Sequence, residues 1–103
     1  MVMKEKLRQG DIIKFEKIQF PVLVVSKDFF NEAGMIVGCP ILEKCEVGAL
    51  HIPVNGKDIK GYVQCEMLKV FDVNIRRGRK VDSIHMADIM NVTDAIQGIF
   101  DYI

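Results

Sequence analysis

Short apolar segments separated by turn residues fill the first two-thirds of this 103-residue chain. Val, Ile and Phe are frequent in these segments, and Gly, Pro, Asn or Asp bound them, which is typical of β-strands. One helix-like segment follows them. Several short strands and one helix favour a small, strongly bent sheet or barrel covered by that helix. The predicted strands are residues 12–16, 21–26, 35–42, 49–54, 61–65 and 68–71.

Local signals refine this prediction. Residues 21–26 are a continuous apolar run, typical of a strand buried on both faces. Pro40 has no N–H, so it should lie at an edge, a bulge or a strand end. Asn55 and Gly56 tolerate positive φ and predict a turn between two strands. Residues 27–34 read as a loop or a single helical turn, and residues 74–80 as a basic loop.

The C-terminal segment, residues 83–103, is predicted to be an amphipathic helix. Ser83, or Asp82 before it, can cap its first turn by accepting backbone N–H groups. Gly98 weakens the helix and is interpreted as allowing close packing against the sheet. The fold class is therefore β-rich α+β. The apolar face of the helix is predicted to contain Ile89, Val92, Ile96, Ile99 and Ile103.

Length and composition restrict the class of protein. A chain of 103 residues suits one domain, here residues 1–103 with a tail at 1–7. Fourteen basic residues balance fourteen acidic ones, so nucleic-acid binding would depend on local clustering of charge. Cys39, Cys45 and Cys65 form no C-x-x-C pair, so we expect neither a disulfide framework nor a metal site, and a reducing cytoplasm fits best. No apolar run approaches the ~20 residues that cross a bilayer, and no secretory signal or cofactor motif is recognised.

Residues 61–72 carry the clearest chemical signal. Gln64, Glu66 and Lys69 place an amide, a carboxylate and an ammonium group in and just after a strand-like run. A dense basic cluster follows at Arg76, Arg77, Arg79 and Lys80, with Gly78 read as a flexible residue among them. A carboxylate near a phosphate-binding surface suits recognition or cleavage of RNA.

The order of these segments resembles the MazF/PemK family of toxin ribonucleases. The resemblance includes Arg8 to Ile13 at the first strand, Phe20 to Val25 at the second, and residues 36–39 at the third. It continues through residues 62–72 and the helix residues 92–96. It implies an SH3-like (CcdB/PemK-like) small barrel, a homodimer, single-stranded RNA as substrate, and a cognate antitoxin as partner.

The resemblance also implies residue roles for metal-free RNA cleavage by 2′-hydroxyl attack. Glu66 would be the general base, and Gln64 and Lys69 would bind the scissile phosphate. The basic cluster would hold other RNA phosphates. His51 and His85 are candidates for the general acid because histidine titrates near neutral pH, although a structural role is open for both. For each of these side chains the alternative is an ordinary structural role, as a solvated surface residue or a core residue.

The chain departs from the family pattern at several expected site positions. Phe20 occupies the place of an arginine, and Ile41, or Leu42 if the gap moves by one residue, that of a threonine or serine. The polar loop before the second strand is reduced to residues 17–19. Two hypotheses therefore stand: a growth-inhibiting toxin that cleaves mRNA, and a catalytically inactive protein of the same fold that binds nucleic acid or a protein partner as a regulator.

Overall fold

The computed structural model describes residues 6–101 and shows a strand-rich α+β fold with a C-terminal helix. The six predicted strands are confirmed with ends shifted by up to two residues, and a seventh strand follows them. The short helix α1 occupies part of the segment expected to be a loop or a helical turn. The elements are β1 Asp11–Phe15, β2 Val22–Val24, α1 Asp28–Asn31, β3 Met35–Leu42, β4 His51–Asn55, β5 Lys60–Gln64, β6 Lys69–Asp72, β7 Gly78–Ser83 and α2 Met86–Phe100.

All strand pairs are antiparallel, and the path β4-β5-β3-β2-β1-β7 runs through the sheet while β6 pairs with β3. The long central strand β3 pairs with β2 along one side and with β6 and then β5 along the other. The result is barrel-like and not closed, which confirms the predicted small SH3-like barrel in its general form.

Pro40 lies where β3 changes partner. On one side it is opposite Val22 of β2. On the other side, Gly38 is opposite Lys69 of β6 and Ile41 is opposite Val63 of β5, so Pro40 falls between the two ladders. A missing N–H costs nothing there, although Pro40 lies within the central strand rather than at the edge, bulge or strand end that the sequence predicted.

The core consists of two clusters of buried apolar side chains. One includes Ile12, Leu23, Val54 and Val63, with Val92 of α2 packed onto it. The other lies around Phe15 and Phe71, whose rings stack with centroids 5.0 Å apart. All three residues of β2 are fully buried, as the continuous apolar run predicted.

The segment from residue 78 to residue 85 corrects two predictions. The predicted basic loop at 74–80 is wrong in its second half, because Gly78, Arg79 and Lys80 belong to β7 and pair with β1. Gly78 is needed for close packing rather than flexibility, since a Cβ there would lie 2.6 Å from the Phe15 ring. Ser83 is likewise in β7, and α2 begins at Met86 with His85 as an N-cap that makes no side-chain cap.

The apolar face of α2 is partly confirmed. Val92 is buried, and Ile89 and Ile96 pack on the first cluster, whereas Ile99 is 41% exposed. The prediction for Ile103 lies outside the described residues. The interpretation of Gly98 is wrong, because a Cβ there would have nothing within 4 Å.

Two connections also differ in detail from expectation. The β4–β5 turn falls where Asn55-Gly56 predicted it, with Gly56 N–H donating to Ile59 O at 2.7 Å. Neither residue has positive φ, a conformation that among residues 6–101 occurs at Gly10, Gly34 and Arg77. Of the predicted tail, residues 1–5 lie outside the described part. Leu7 is buried, so the core begins earlier than predicted.

Candidate functional site

Glu66 lies in the short connection between β5 and β6. The chain leaves β5 after Gln64 and turns tightly, with Met67 N–H donating to Gln64 O at 3.0 Å. Cys65 N–H donates to Leu50 O at 2.9 Å, which keeps the turn against the start of β4. The Glu66 side chain is 42% exposed. The carboxylate predicted to be the general base is therefore at the surface, on a well-anchored turn.

His51 is the hydrogen-bond partner of Glu66. His51 opens β4 and lies directly opposite Gln64 of β5, so both side chains share one face of the sheet. Its Nε2 is 2.9 Å from Glu66 Oε2, and its Nδ1 is 2.6 Å from the backbone carbonyl of Glu46. The imidazole is thus held at both nitrogens.

The two groups shift each other's protonation equilibria. The Glu46 carbonyl and then the Glu66 carboxylate raise the pKa of His51, by hydrogen bonds that favour the charged ring. The hydrogen bond from His51, with that from a backbone N–H, lowers the pKa of Glu66. Both effects favour an imidazolium–carboxylate pair near neutral pH.

Gln64 and Lys69, predicted to bind the scissile phosphate, have partners other than Glu66. Gln64 is buried, and its side-chain amide donates to Tyr62 O of its own strand at 3.0 Å. Lys69 Nζ lies 5.6 Å from the centroid of the Phe71 ring, a cation–π contact. Glu66 is paired with His51 rather than with Lys69.

Two buried thiols lie near the candidate base. Burial, with the charge of Glu66 adding to it, raises the pKa of Cys65 to about 11. Burial raises the pKa of Cys39 to about 12, and Cys65 and Glu66 contribute. Both thiols are therefore neutral at physiological pH and weak nucleophiles.

Of the two departures from the family pattern, Ile41 lies in the core and Phe20 is partly buried against it. Ile41 is 3% exposed and belongs to the first core cluster, and Phe20 packs on the second. Neither presents a polar group to a substrate, so the chemistry that an arginine and a threonine would supply must come from other residues.

The basic cluster divides into paired and unpaired cations. Lys80 Nζ is 3.3 Å from Oδ1 of buried Asp11, and Arg77 is 3.6 Å from Glu16 in an exposed ion pair. Arg79 is exposed on β7 opposite Lys14. Arg76 is exposed in the β6–β7 turn. The predicted set thus contains one residue tied to the interior and three that face solvent.

The solvent-facing cations border two shallow grooves. One, of about 440 Å³, is lined by Lys17, Ile75, Arg76 and Arg77 around Glu16. The second, of about 340 Å³, continues past Glu16 to Lys14 and Arg79. We call the surface formed by Lys14, Lys17, Arg76, Arg77 and Arg79 the basic surface.

The basic surface and Glu66 lie at opposite ends of β6. Glu66 precedes Lys69, the first residue of β6, whereas Arg76 follows Asp72, the last. The strand between them spans about 10 Å. The structure therefore brings Gln64, Glu66 and His51 together and keeps the basic surface apart from them.

Sequence reasoning missed the pairing of His51 with Glu66 and the contribution of Lys14 and Lys17. The first had a usable signal, because a turn at Asn55-Gly56 pairs residues 49–54 with 61–65 in a hairpin. Pairing Val54, the last residue of the first predicted strand, with Gly61, the first residue of the second, places His51 opposite Gln64. No signal in the sequence indicated the contribution of Lys14 and Lys17, since both are distant in sequence from the arginines.

Two negative findings apply to the described part of the chain. Within residues 6–101, no group of three or more His, Cys, Asp or Glu side chains is arranged to hold a metal ion. In the same range, neither helix has the length and apolar character needed to cross a bilayer.

The sequence from residue 9 to residue 100 matches the model of a family described as PemK-like, MazF-like toxin of type II toxin–antitoxin systems. The chain belongs to this family. The match covers nearly all of the described residues, and it confirms the family resemblance inferred from the order of segments. No curated protein sequence is significantly similar to this chain.

Solved structures of the family share the fold. The MazE–MazF structure from Deinococcus radiodurans (Form-I) superposes with a TM-score of 0.85 at 15% identity, covering 94% of this chain and 98% of that one. An endoribonuclease from Mycobacterial species gives 0.81 at 14%, covering 93% and 92%. The mycobacterial endoribonuclease in complex with its cognate antitoxin gives 0.79 at 14%, covering 91% and 94%. At such identities the likeness establishes the fold.

Proposed function

We propose that this MazF-like toxin is a metal-independent endoribonuclease that cleaves single-stranded mRNA by attack of a 2′-hydroxyl on the adjacent phosphorus. One observation carries the proposal: the Glu66 carboxylate lies at the surface and is held by a hydrogen bond of 2.9 Å between its Oε2 and Nε2 of His51. A carboxylate kept ionised in a fixed orientation can accept a proton from a substrate hydroxyl.

The other groups have distinct parts in this scheme. Glu66 accepts the 2′-hydroxyl proton as the oxygen attacks phosphorus. Lys69, exposed three residues later, offers an ammonium group to the charge that develops on the phosphoryl oxygens. The side-chain amide of Gln64 donates to Tyr62 O, so we assign Gln64 to stabilising the end of β5 rather than to binding the phosphate. Arg76, Arg77 and Arg79 would bind RNA phosphates away from the scissile bond.

Replacing Glu66 with Gln tests the base directly. We expect Glu66→Gln to lower cleavage of a mixed-sequence RNA, assayed in EDTA, by about 10²–10⁴-fold, which is typical of losing a general base. Glu32→Gln, at an exposed carboxylate after α1, is the matched control and should cleave like wild type. Equal rates for wild type and Glu66→Gln would remove Glu66 from the mechanism.

Partners follow from the relatives rather than from the geometry. A relative crystallised with its cognate antitoxin supports an antitoxin as the partner of this chain. We also propose a homodimer acting in the cytoplasm, where its mRNA substrate is. Expression of the chain should then arrest growth, and co-expression of the antitoxin should restore it.

A second function is favoured by a specific observation. Because Phe20 and Ile41 are apolar, the first packed against the core and the second within it, two positions that the family pattern makes polar supply no catalytic group. A protein of this fold without activity would still bind nucleic acid, RNA or DNA, or a protein partner through the basic surface. Binding of RNA without cleavage by the wild-type protein would favour this alternative.

A further inference from the structure

The surroundings of the His51 ring determine where its protons lie. A backbone carbonyl only accepts hydrogen bonds, so the 2.6 Å contact with Glu46 O requires a proton on Nδ1. In the neutral ring Nε2 then carries a lone pair, which would face Glu66 Oε2 at 2.9 Å and repel a carboxylate. A second proton, on Nε2, turns this contact into a charge-assisted hydrogen bond.

Both ring nitrogens are therefore occupied, which bears on the role of His51. A general acid must present a proton to the leaving oxygen, and His51 has no free nitrogen with which to do so. The bond to Glu66 instead fixes one oxygen of a carboxylate that is 42% exposed. The geometry suits positioning of the base rather than proton delivery to substrate.

The charged groups around His51 are few. Glu46, from the loop before β4, and Glu66, from the β5–β6 turn, both favour the protonated ring. Gln64, opposite on β5, is neutral. The thiols of Cys39 and Cys65, near Glu66, are also neutral because burial raises the pKa of each. No cation competes with His51 for Glu66 among the described residues.

We propose that protonated His51, anchored on the Glu46 carbonyl, is the positioning residue that orients the Glu66 carboxylate towards the 2′-hydroxyl. This inference rests on the proposed ribonuclease function. It gives His51 no contact with the RNA.

The proposed role of His51 predicts how the rate of RNA cleavage changes with pH. Cleavage rises as Glu66 ionises, at a pH below the usual glutamate range because its pKa is lowered. Cleavage falls again when His51 loses its proton, at a pH above the usual histidine range because its pKa is raised. The alkaline limb of the rate profile thus belongs to His51 and the acid limb to Glu66.

Cleavage rates of His51→Gln and His51→Ala from about pH 5 to pH 9 test the proposal. Gln keeps an N–H donor that does not titrate, so His51→Gln should retain much of the activity and lose the alkaline limb. Ala removes the donor, and kcat should fall about 10- to 100-fold with little change in KM, since the base is misplaced while RNA binding is intact. Glu32→Gln, at the exposed carboxylate after α1, is again the control and should keep the wild-type profile.

Titration of the His51 ring by NMR supplies a readout independent of cleavage. We expect a protonated Nδ1 throughout and a raised titration midpoint that falls towards the ordinary value in Glu66→Gln. An unchanged midpoint in that variant, or an alkaline limb that survives in His51→Gln, would overturn the inference while leaving the ribonuclease intact. If wild type does not cleave RNA, or Glu66→Gln cleaves normally, the proposed function fails and the catalytic role of His51 fails with it.

Discussion

The carboxylate of Asp82 holds several backbone N–H groups in place. Its two oxygens accept backbone N–H groups from Lys57, Asp58, Ile59 and Ser83 at 2.8–2.9 Å. Burial raises its pKa, but the four hydrogen bonds outweigh burial and lower the pKa from 3.8 to about 2. One side chain of β7 thereby fixes the turn between β4 and β5.

Replacing Asp82 with Asn should lower the free energy of unfolding at pH 7 by about 2 kcal/mol, because hydrogen bonds to a charged acceptor are lost. The pKa is depressed, so the contribution of Asp82 is present above 3.8 and is lost as the pH falls towards about 2. Urea unfolding across this range checks it, with Asp94→Asn on the exposed side of α2 as control. A difference between wild type and Asp82→Asn that stays constant with pH would contradict the assignment.

Neighbouring residues of the basic cluster have different surroundings, and their types alone do not reveal this. Arg79 and Lys80 are adjacent, but alternation along β7 sends them to opposite faces. Lys80 reaches buried Asp11, whereas Arg79 borders the groove. Because residues 74–80 were predicted to be a loop, the sequence did not predict this alternation. No local pattern in these residues indicates a strand, since β7 forms through its pairing with β1.

At the scale of elements, the sequence predicted six strands and the C-terminal helix from apolar periodicity and turn residues. Periodicity detects a strand whose alternate residues are buried. It failed for β7, in which none of the six residues is fully buried. It also placed the start of α2 too early, because Ser83 has capping chemistry but is held in the sheet opposite Asp11.

Two glycines with opposite environments give a matched test of these elements. A Cβ at Gly61 of β5 would lie 2.6 Å from Leu42 O, a backbone atom that cannot move freely, so Gly61→Ala should destabilise the fold by about 1–3 kcal/mol. Gly98→Ala adds a methyl group in open space on α2 and should stabilise the fold by up to about 1 kcal/mol. Thermal or urea unfolding measures both, and equal signs would contradict the packing described.

At the scale of the molecule, the net charge is zero, but the basic side chains are clustered on one surface. Lys14 and Lys17 from the β1 region join the arginines that follow β6, and Glu16 is the acidic residue among them. The sequence located the arginines correctly as exposed cations. It did not place the lysines beside them, because that proximity arises from the pairing of β1 with β7 and from the β6–β7 turn.

Salt dependence separates the cations by role. Arg76→Ser with Arg79→Ser should weaken RNA binding and reduce the slope of log K against log salt by about 1.4, since each of the two lost phosphate contacts on a single strand contributes about 0.7. Lys80→Ser should leave that slope unchanged and lower stability by about 1–3 kcal/mol, because buried Asp11 loses its ion-pair partner and keeps, among the described residues, the Arg8 N–H alone. An unchanged slope in the double variant would exclude the basic surface from RNA binding.

The β4–β5 hairpin is fastened by carboxylates at both ends. Asp82 holds its turn, with Asp88 of α2 binding Asn55 N–H at 3.1 Å, and Glu66 holds its open end through His51. Strand β4 lies at the edge of the sheet, so the hairpin has a sheet neighbour along β5 only. It is therefore suited to open as a local unit in acid before the rest of the barrel unfolds. Amide hydrogen exchange would show such opening as early loss of protection in β4, and cleavage would stop with it while the fold survived.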